Sequence, residues 1–267
     1  MTIVVDDPAD DRLVDYRSLN DQAFRRRYEA SQLFIVEGYV AIARLMESGH
    51  VVRSVLLSHS RVERFAADLP SVAAGDVPVF VADRKVIADV VGFDLHRGVL
   101  ACAQRRPPLG VDELIAGASR LAVLEGLNDN ENLGAIARAA KAFGIDGVLI
   151  DPTCTDPYTR RTVRVSMGEV LTLPIARVAP GEWPAALEEV RAAGFERWAM
   201  TPTADAENLW QAEVPDRVAV MLGAEGPGLT QASLAAADRR VRIPISTEVD
   251  SLNVAQAAAV TFAALGR

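Results

Sequence analysis

Three loops of this 267-residue chain combine residue types able to do chemistry with small residues that let a ligand come close. In the first, residues 127–144, an apolar stretch runs into the polar turn Asn128-Asp129-Asn130-Glu131-Asn132. A helix rich in alanine follows, with one long cation, Arg138, in its middle. With Ile136 set at zero and about 100° per residue, Ala140 and Phe143 fall on one stripe, the expected core face. Arg138 lies about 200° away among Ala135, Ala139 and Ala142, where small side chains would let another backbone approach. Asn132 and Gly134 stand at the helix start, where free N–H groups favour an anion. In the second loop, residues 220–230, a strand enters Gly223, Gly226 and Gly228 with Glu225 embedded among them. The spacing is G-x-x-G-x-G, unlike the G-x-G-x-x-G dinucleotide fingerprint, and it has no phosphate-binding lysine. In the third, residues 242–263, a strand passes through Ile243-Pro244 into a polar loop, and Ser251-Leu252-Asn253 opens a helix. Asp250 or Ser251 reads as the N-cap, which leaves Asn253 just inside the first turn.

Something must bring these loops together. Continuous runs of β-branched residues and leucine recur at 121–127, 147–150, 173–178, 197–202, 217–223 and 239–245, with helices between. Such runs are the pattern of parallel strands covered on both faces. Ligands collect at the carboxyl ends of those strands, where all three loops fall. Before residue 107 a smaller alternation of strands and helices predicts a separate α/β domain of ordinary size. Residues 107–119, with Pro107, Pro108 and Gly110, read as a linker. Residues 1–15 read as a flexible acidic tail, and a helix is expected near 18–31 carrying Arg25, Arg26 and Arg27.

Composition excludes several functions. Half of the residues are hydrophobic and the net charge is −8, which argues against strong nonspecific binding to nucleic acid. The charge is uneven: −4 over residues 1–15, +3 over 16–107 and −7 over 108–267. Nearly all the bases are arginine, which suits phosphate and stacked bases. Cys102 and Cys154 have no metal-type spacing, and His50, His59 and His96 are scattered, so no metal site is expected. No apolar run is long enough to span a bilayer, and a reduced, cytoplasmic setting is the expectation.

Taken together, the loops resemble the signature motifs of the SpoU/TrmH class of SPOUT RNA methyltransferases. N-x-G-x-x-x-R is matched by Asn132, Gly134 and Arg138. G-x-E-G-x-G is matched by Gly223, Glu225, Gly226 and Gly228. I-P followed by S-L-N is matched by Ile243, Pro244, Ser251, Leu252 and Asn253. The stretch 163–175 is similar to the family's R-x-S-x-G segment, through Arg164, Ser166 and Gly168. One departure is visible: members often carry proline shortly before the first asparagine, where this chain reads Asn130-Glu131. The resemblance spans residues 120–267. The half before the linker is weakly similar to the ribosomal-protein-like substrate-binding domain often fused to these enzymes, through the stretches 34–38 and 96–101.

The resemblance implies a parallel α/β domain with a C-terminal trefoil knot, and a homodimer formed through that domain. It implies S-adenosylmethionine held by Gly223, Ile243 and Leu252, with Thr201, Glu225 and Gly228 nearby. It implies methyl transfer to a ribose 2′-hydroxyl of RNA, with ribosomal RNA favoured, and Arg138 as the central catalytic group. Ser251 and Asn132 would orient Arg138 or a phosphate, while Asn253 and Glu225 shape the loops. Arg25, Arg26, Arg27, Arg160, Arg161 and Arg164 are the candidate RNA contacts. The alternatives are action on transfer RNA, or a non-catalytic RNA-binding protein of the same fold. A nucleotide-dependent oxidoreductase is disfavoured because neither half opens with a dinucleotide fingerprint.

Overall fold

The computed structural model describes residues 2–21, 32–95, 98–246 and 248–266. They form two compact units. One joins Met1–Pro107 with Tyr158–Thr172, and the other joins Pro108–Pro157 with Leu173–Arg267.

The first unit is built on β1 (Thr2–Val4), β2 (Leu33–Glu37), β3 (Val51–Ser58), β4 (Val79–Ala82) and β5 (Val99–Gln104). They lie in the order β1-β4-β3-β5-β2. β1 and β3 run parallel to β4, while β5 is antiparallel to both β3 and β2. Every residue of β2 and β4 is buried, so neither strand could alternate with polar residues. Helices Tyr39–Glu47 and Arg84–Val91 turn their apolar stripes inward, burying Ile42 and Leu45 on one and Ile87, Val90 and Val91 on the other.

Residues 2–15, expected as part of a flexible acidic tail, are built into the unit. β1 pairs with β4 in the register Thr2↔Val79, and Val5, Leu13 and Tyr16 are buried. The Tyr16 hydroxyl lies 2.8 Å from Ser54 Oγ and accepts from the Cys102 amide at 3.2 Å. Apolar residues spaced between the acids anchor the segment, while Asp6, Asp7 and Asp11 are exposed and Asp10 and Asp15 pair with Arg12 and Arg53. A second departure concerns residues 158–172, which belong to this unit although the sequence sets them inside the other. Tyr158 packs against Phe34 with ring centroids 5.1 Å apart, and helix Arg160–Val165 buries Thr162 and Val163. The turn after it places Met167 at φ 56° and Gly168 at φ 84°. A Cβ on Gly168 would come within 2.8 Å of Ala41 Cα, so this close approach requires glycine. Arg25, Arg26 and Arg27 lie outside the described residues.

The second unit is a seven-stranded sheet of β6 (Arg120–Glu125), β7 (Gly147–Ile150), β8 (Ile175–Arg177), β9 (Glu196–Met200), β10 (Glu207–Asn208), β11 (Val218–Gly223) and β12 (Arg239–Arg242). The order is β10-β12-β9-β11-β6-β7-β8, and every pairing is parallel. β6, β7 and β11 are buried almost throughout, as their unbroken apolar runs require. The presumed linker contributes to this core. Helix Val111–Ala116 buries Leu114 and Ile115 against Leu121, Leu149 and Ala176, so apolar burial holds the stretch despite its flanking prolines.

Helix Asn130–Ala142 buries Leu133, Gly134, Ile136, Ala137 and Ala140, and packs against helix Val254–Leu265. Phe143 is not on its core stripe: it is the C-cap, where the helical period stops, and it stays 41 % exposed. A buried guanidinium locks the sheet to its covering helix. Arg197 on β9 grips Asp238 through Nε and Nη2, each at 3.0 Å, and Glu188 at 2.8 Å. Those pairs hold the Asp238 carboxyl below its ordinary range.

Candidate active site

The loops after β9, β11 and β12 open on one cavity of about 330 Å³ at the carboxyl ends of three adjacent parallel strands. Gly223, Gly228, Glu225, Thr201, Ile243 and Leu252 all line it, and so do Ser251 and Asn253. Its walls are apolar where Met200, Leu222 and Ile245 face inward.

Gly223 ends β11, and the chain then folds back on itself. The Gly228 amide donates to the Ala224 carbonyl at 2.9 Å, closing a tight turn with Gly226 at φ 83° and Gly228 at φ 70°. A Cβ at Gly223 would meet the carbonyl carbon of Gly228 and the Leu229 nitrogen at 2.2 Å each. No side chain fits there, so the backbone itself walls the cavity.

One side chain joins the three loops. Asn253 Nδ2 donates to Asn132 Oδ1 at 2.9 Å and to Glu225 Oε1 at 2.6 Å. Its Oδ1 accepts from the amides of Ala255 and Gln256 at 2.9 and 3.3 Å. Both donors and both acceptor positions of the carboxamide are thus used, which fixes its orientation. Asn253 is therefore the N-cap of the last helix, displacing Asp250 and Ser251 from the capping role assigned by sequence. The preceding Ser251-Leu252 then stays extended along the cavity. The first helix is capped in the same way by Asp129, whose carboxylate accepts from the Glu131 amide, and not by Asn132. Asn132 is buried and committed to Asn253.

Arg138 stands apart. It is exposed, does not line the cavity, and has no hydrogen-bond or ion-pair partner among the described residues. Six residues separate it from Asn132, about 9 Å along the axis and about 240° around it. Ideal geometry thus puts Asn132 and Arg138 of one chain on different faces of the helix. Of the other candidate RNA contacts, Arg160 is engaged inside the first unit, donating to Asn20 Oδ1 at 3.2 Å and lying 4.2 Å from the Phe93 ring centroid. Arg161 is exposed, and Arg164 is partly buried.

Sequence reasoning missed Glu125. It closes β6 beside Gly223 and is 4 % exposed. Its carboxylate accepts from Trp183 Nε1 at 2.7 Å, Thr230 Oγ1 at 2.8 Å, Ser233 Oγ at 2.8 Å and the Thr230 amide at 3.0 Å. The far end of the glycine loop hangs from this buried acceptor.

The donor set decides which ligand fits. Among the described residues the cavity wall carries no lysine or arginine, and its one charge is the Glu225 carboxylate. The first amides of the last helix are already taken by Asn253, so that terminus offers little to a phosphate. A dinucleotide would face a carboxylate there. A partly apolar ligand with a positive centre suits the aliphatic walls and the acid. No group of three or more histidine, cysteine or acidic side chains is placed to hold a metal among the described residues. No described helix is long and apolar enough to cross a membrane.

Known proteins place this arrangement. The chain belongs to the SpoU rRNA Methylase family, whose model matches residues 119–263. It is 44 % identical over 260 residues to an uncharacterized tRNA/rRNA methyltransferase of Mycobacterium bovis, covering 96 % of this chain and 88 % of that protein. It is 30 % identical to the 23S rRNA (guanosine-2′-O-)-methyltransferase RlmB of Ralstonia nicotianae, over 84 % of this chain and 91 % of that one. Its fold superimposes on the AdoMet-bound rRNA methyltransferase of Sinorhizobium meliloti with a TM-score of 0.81 at 25 % identity, covering 99 % of this chain and 97 % of that one.

Proposed function

We propose that this chain transfers a methyl group from S-adenosylmethionine to a ribose 2′-hydroxyl, with ribosomal RNA as the favoured substrate. It is an RNA methyltransferase of the SpoU family, and similar proteins are described as AdoMet-bound or as acting on a guanosine 2′-oxygen of 23S rRNA. The observation that carries the reading is the Asn253 carboxamide. It ties Asn132, Glu225 and the last helix around a cavity whose charge is negative and whose walls are backbone and aliphatic side chains.

The cofactor supplies an electrophilic methyl group on a positively charged sulfur. Gly223, Gly228 and Leu252 would offer backbone edges to it, Ile243 and Thr201 would flank it, and Glu225 sets a favourable potential. Arg138 would grip the RNA and steady the negative charge that grows on the 2′-oxygen as its proton leaves. A guanidinium barely deprotonates in proteins, which favours this charged role over that of a base. Ser251 is exposed at the cavity rim, placed to meet the RNA.

Arg138 is exposed and does not line the cavity, and Ala135 and Ala139 beside it are only partly covered. Both facts support a homodimer in which Arg138 of one protomer completes the cavity of its partner. The order β10-β12-β9-β11 carries the chain back and forth across β9 before the last helix returns to helix Asn130–Ala142, which supports a trefoil knot in this portion. The first unit, Met1–Pro107 together with Tyr158–Thr172, we read as the RNA-binding domain, with a ribosomal-protein-like fold.

Calorimetric titration with S-adenosylmethionine tests the assignment of the cavity. Saturable binding lost on Gly223→Val is expected. Absence of binding to the wild-type protein would favour a non-catalytic RNA-binding role. Transfer RNA remains the second substrate reading, because the M. bovis relative is described for both RNA classes.

A further inference from the structure

The first unit contains a cavity of about 280 Å³ that the methyl-transfer site does not use. The nine-residue helix Tyr39–Glu47 opens onto it behind Gly38, whose lack of a side chain leaves the first-turn amides uncapped. Arg61, Arg64 and Arg164 share the lining. Arg64 pairs with Asp68 at 3.0 Å, whereas Arg61 and Arg164 have no carboxylate partner among the described residues. This half of the cavity is built for an anion.

The other half is not. Glu37 lines the same cavity and is 6 % exposed, and its Oε2 accepts no hydrogen bond among the described residues. Arg160 Nη1 lies 3.7 Å away, too far to close a hydrogen bond. The Tyr39 hydroxyl is also buried without a partner. A bare phosphate would leave Glu37 facing a like charge. The ligand must present an anion at one end and hydrogen-bond donors at the other. Among RNA bases, guanine has two adjacent donors on its Watson–Crick edge, N1–H and the N2 amino group, beside the O6 acceptor. Adenine, cytosine and uracil each present one donor group there, next to an acceptor. A carboxylate that accepts and a phenol that donates match the guanine edge.

We propose that this cavity is a subsite for an unpaired guanosine of the RNA, its base read by Glu37 and Tyr39 and its phosphate held by the helix start with Arg61, Arg64 and Arg164. The inference rests on reading the first unit as RNA-binding. The volume, about 280 Å³, lies near the lower end of the roughly 300–1,000 Å³ range of small-ligand pockets, so it admits at most one nucleotide.

The test is fluorescence anisotropy of the full-length protein with labelled pentanucleotides UUGUU, UUAUU, UUUUU and an inosine form lacking the N2 amino group. Wild type should prefer UUGUU by roughly 5- to 100-fold, with inosine intermediate. Glu37→Gln should level the preference while binding S-adenosylmethionine as wild type does. Arg64→Ala should weaken all four oligonucleotides alike and flatten the salt dependence by about 0.7 in log–log slope. Equal binding of all four by wild type would overturn the guanine reading while leaving the RNA-binding one in place. Binding of none would overturn both. Displacement by free guanosine monophosphate at or below the dissociation constant of UUGUU would make this a mononucleotide site and overturn the RNA reading of it. The inosine comparison needs no variant, so it decides the matter even if Glu37→Gln fails to fold.

Discussion

Arg138 has no work to do within its own fold: it buries nothing and pairs with nothing among the described residues. Arg138→Ala should therefore leave the thermal midpoint unchanged. Methyl transfer should fall by about 10²–10³-fold, the loss expected for a missing transition-state donor, with S-adenosylmethionine affinity intact. Normal turnover in a radiolabelled-methyl assay would remove Arg138 from the mechanism. Glu125 makes the opposite case. Its four acceptances hold Thr230 and Ser233, so Glu125→Gln sets an amide donor against existing donors. Cofactor affinity should drop roughly 10-fold by calorimetry, and an unchanged affinity would mean that the glycine loop holds its shape without it. The sequence makes Arg138, Gly223, Glu225 and Asn253 legible because polar groups in fixed spacing sit where apolar pattern stops. It hides Glu125, whose side-chain donors lie 58 to 108 residues away and whose position looks like any strand end.

Elements follow the same rule. Long buried strands such as β6 and β11 declare themselves, because every position must be apolar. β1 and β10 do not, being three and two residues long and held by pairing with β4 and β12. The helix starts shift for a local reason: Asp129 and Asn253 compete with neighbouring Asx and Ser residues for the same amides, and geometry alone selects among them. Helix Val111–Ala116 is masked by the prolines before it, although Leu114 and Ile115 supply its inward face. Another contact invisible in sequence is the grip of Arg197 on Asp238. Removing the partly exposed Asp238 carboxylate takes charge-assisted hydrogen bonds from a buried guanidinium that keeps Glu188 as its other acid. Asp238→Ala should cost about 1.5–3 kcal/mol and lower the thermal midpoint by about 5 °C. A shift below about 2 °C in scanning calorimetry would show that Glu188 alone suffices for Arg197.

At the scale of the whole molecule, sequence reading separated two α/β halves near Pro107, but it could not place residues 158–172 with the first. Tyr158, Thr162 and Val163 are residues that either unit could have buried, and only packing on β2 decides. Acidity should act on the first unit. Burial next to Arg106 pushes His50 down to about 4, and the Arg106 amide donates to its Nδ1 at 3.1 Å, which only the neutral ring accepts. The unfolded chain takes up a proton near pH 6.5 and the folded chain does not, so stability falls as pH drops from about 6.5 to about 4 and levels off below. The loss should reach about 3 kcal/mol. Urea midpoints at pH 7 and 4.5 should converge in His50→Gln, and the same pH dependence in both proteins would assign the effect to other groups.

The account is tested most directly by where the methyl group goes. Full-length protein is incubated with trideuteromethyl S-adenosylmethionine and either ribosomal or transfer RNA, and the digested nucleosides are read by mass spectrometry. A nucleoside carrying the label on its ribose 2′-oxygen, formed on ribosomal RNA and absent with Arg138→Ala, is the predicted result. Label on a base, or none on either RNA, would contradict it.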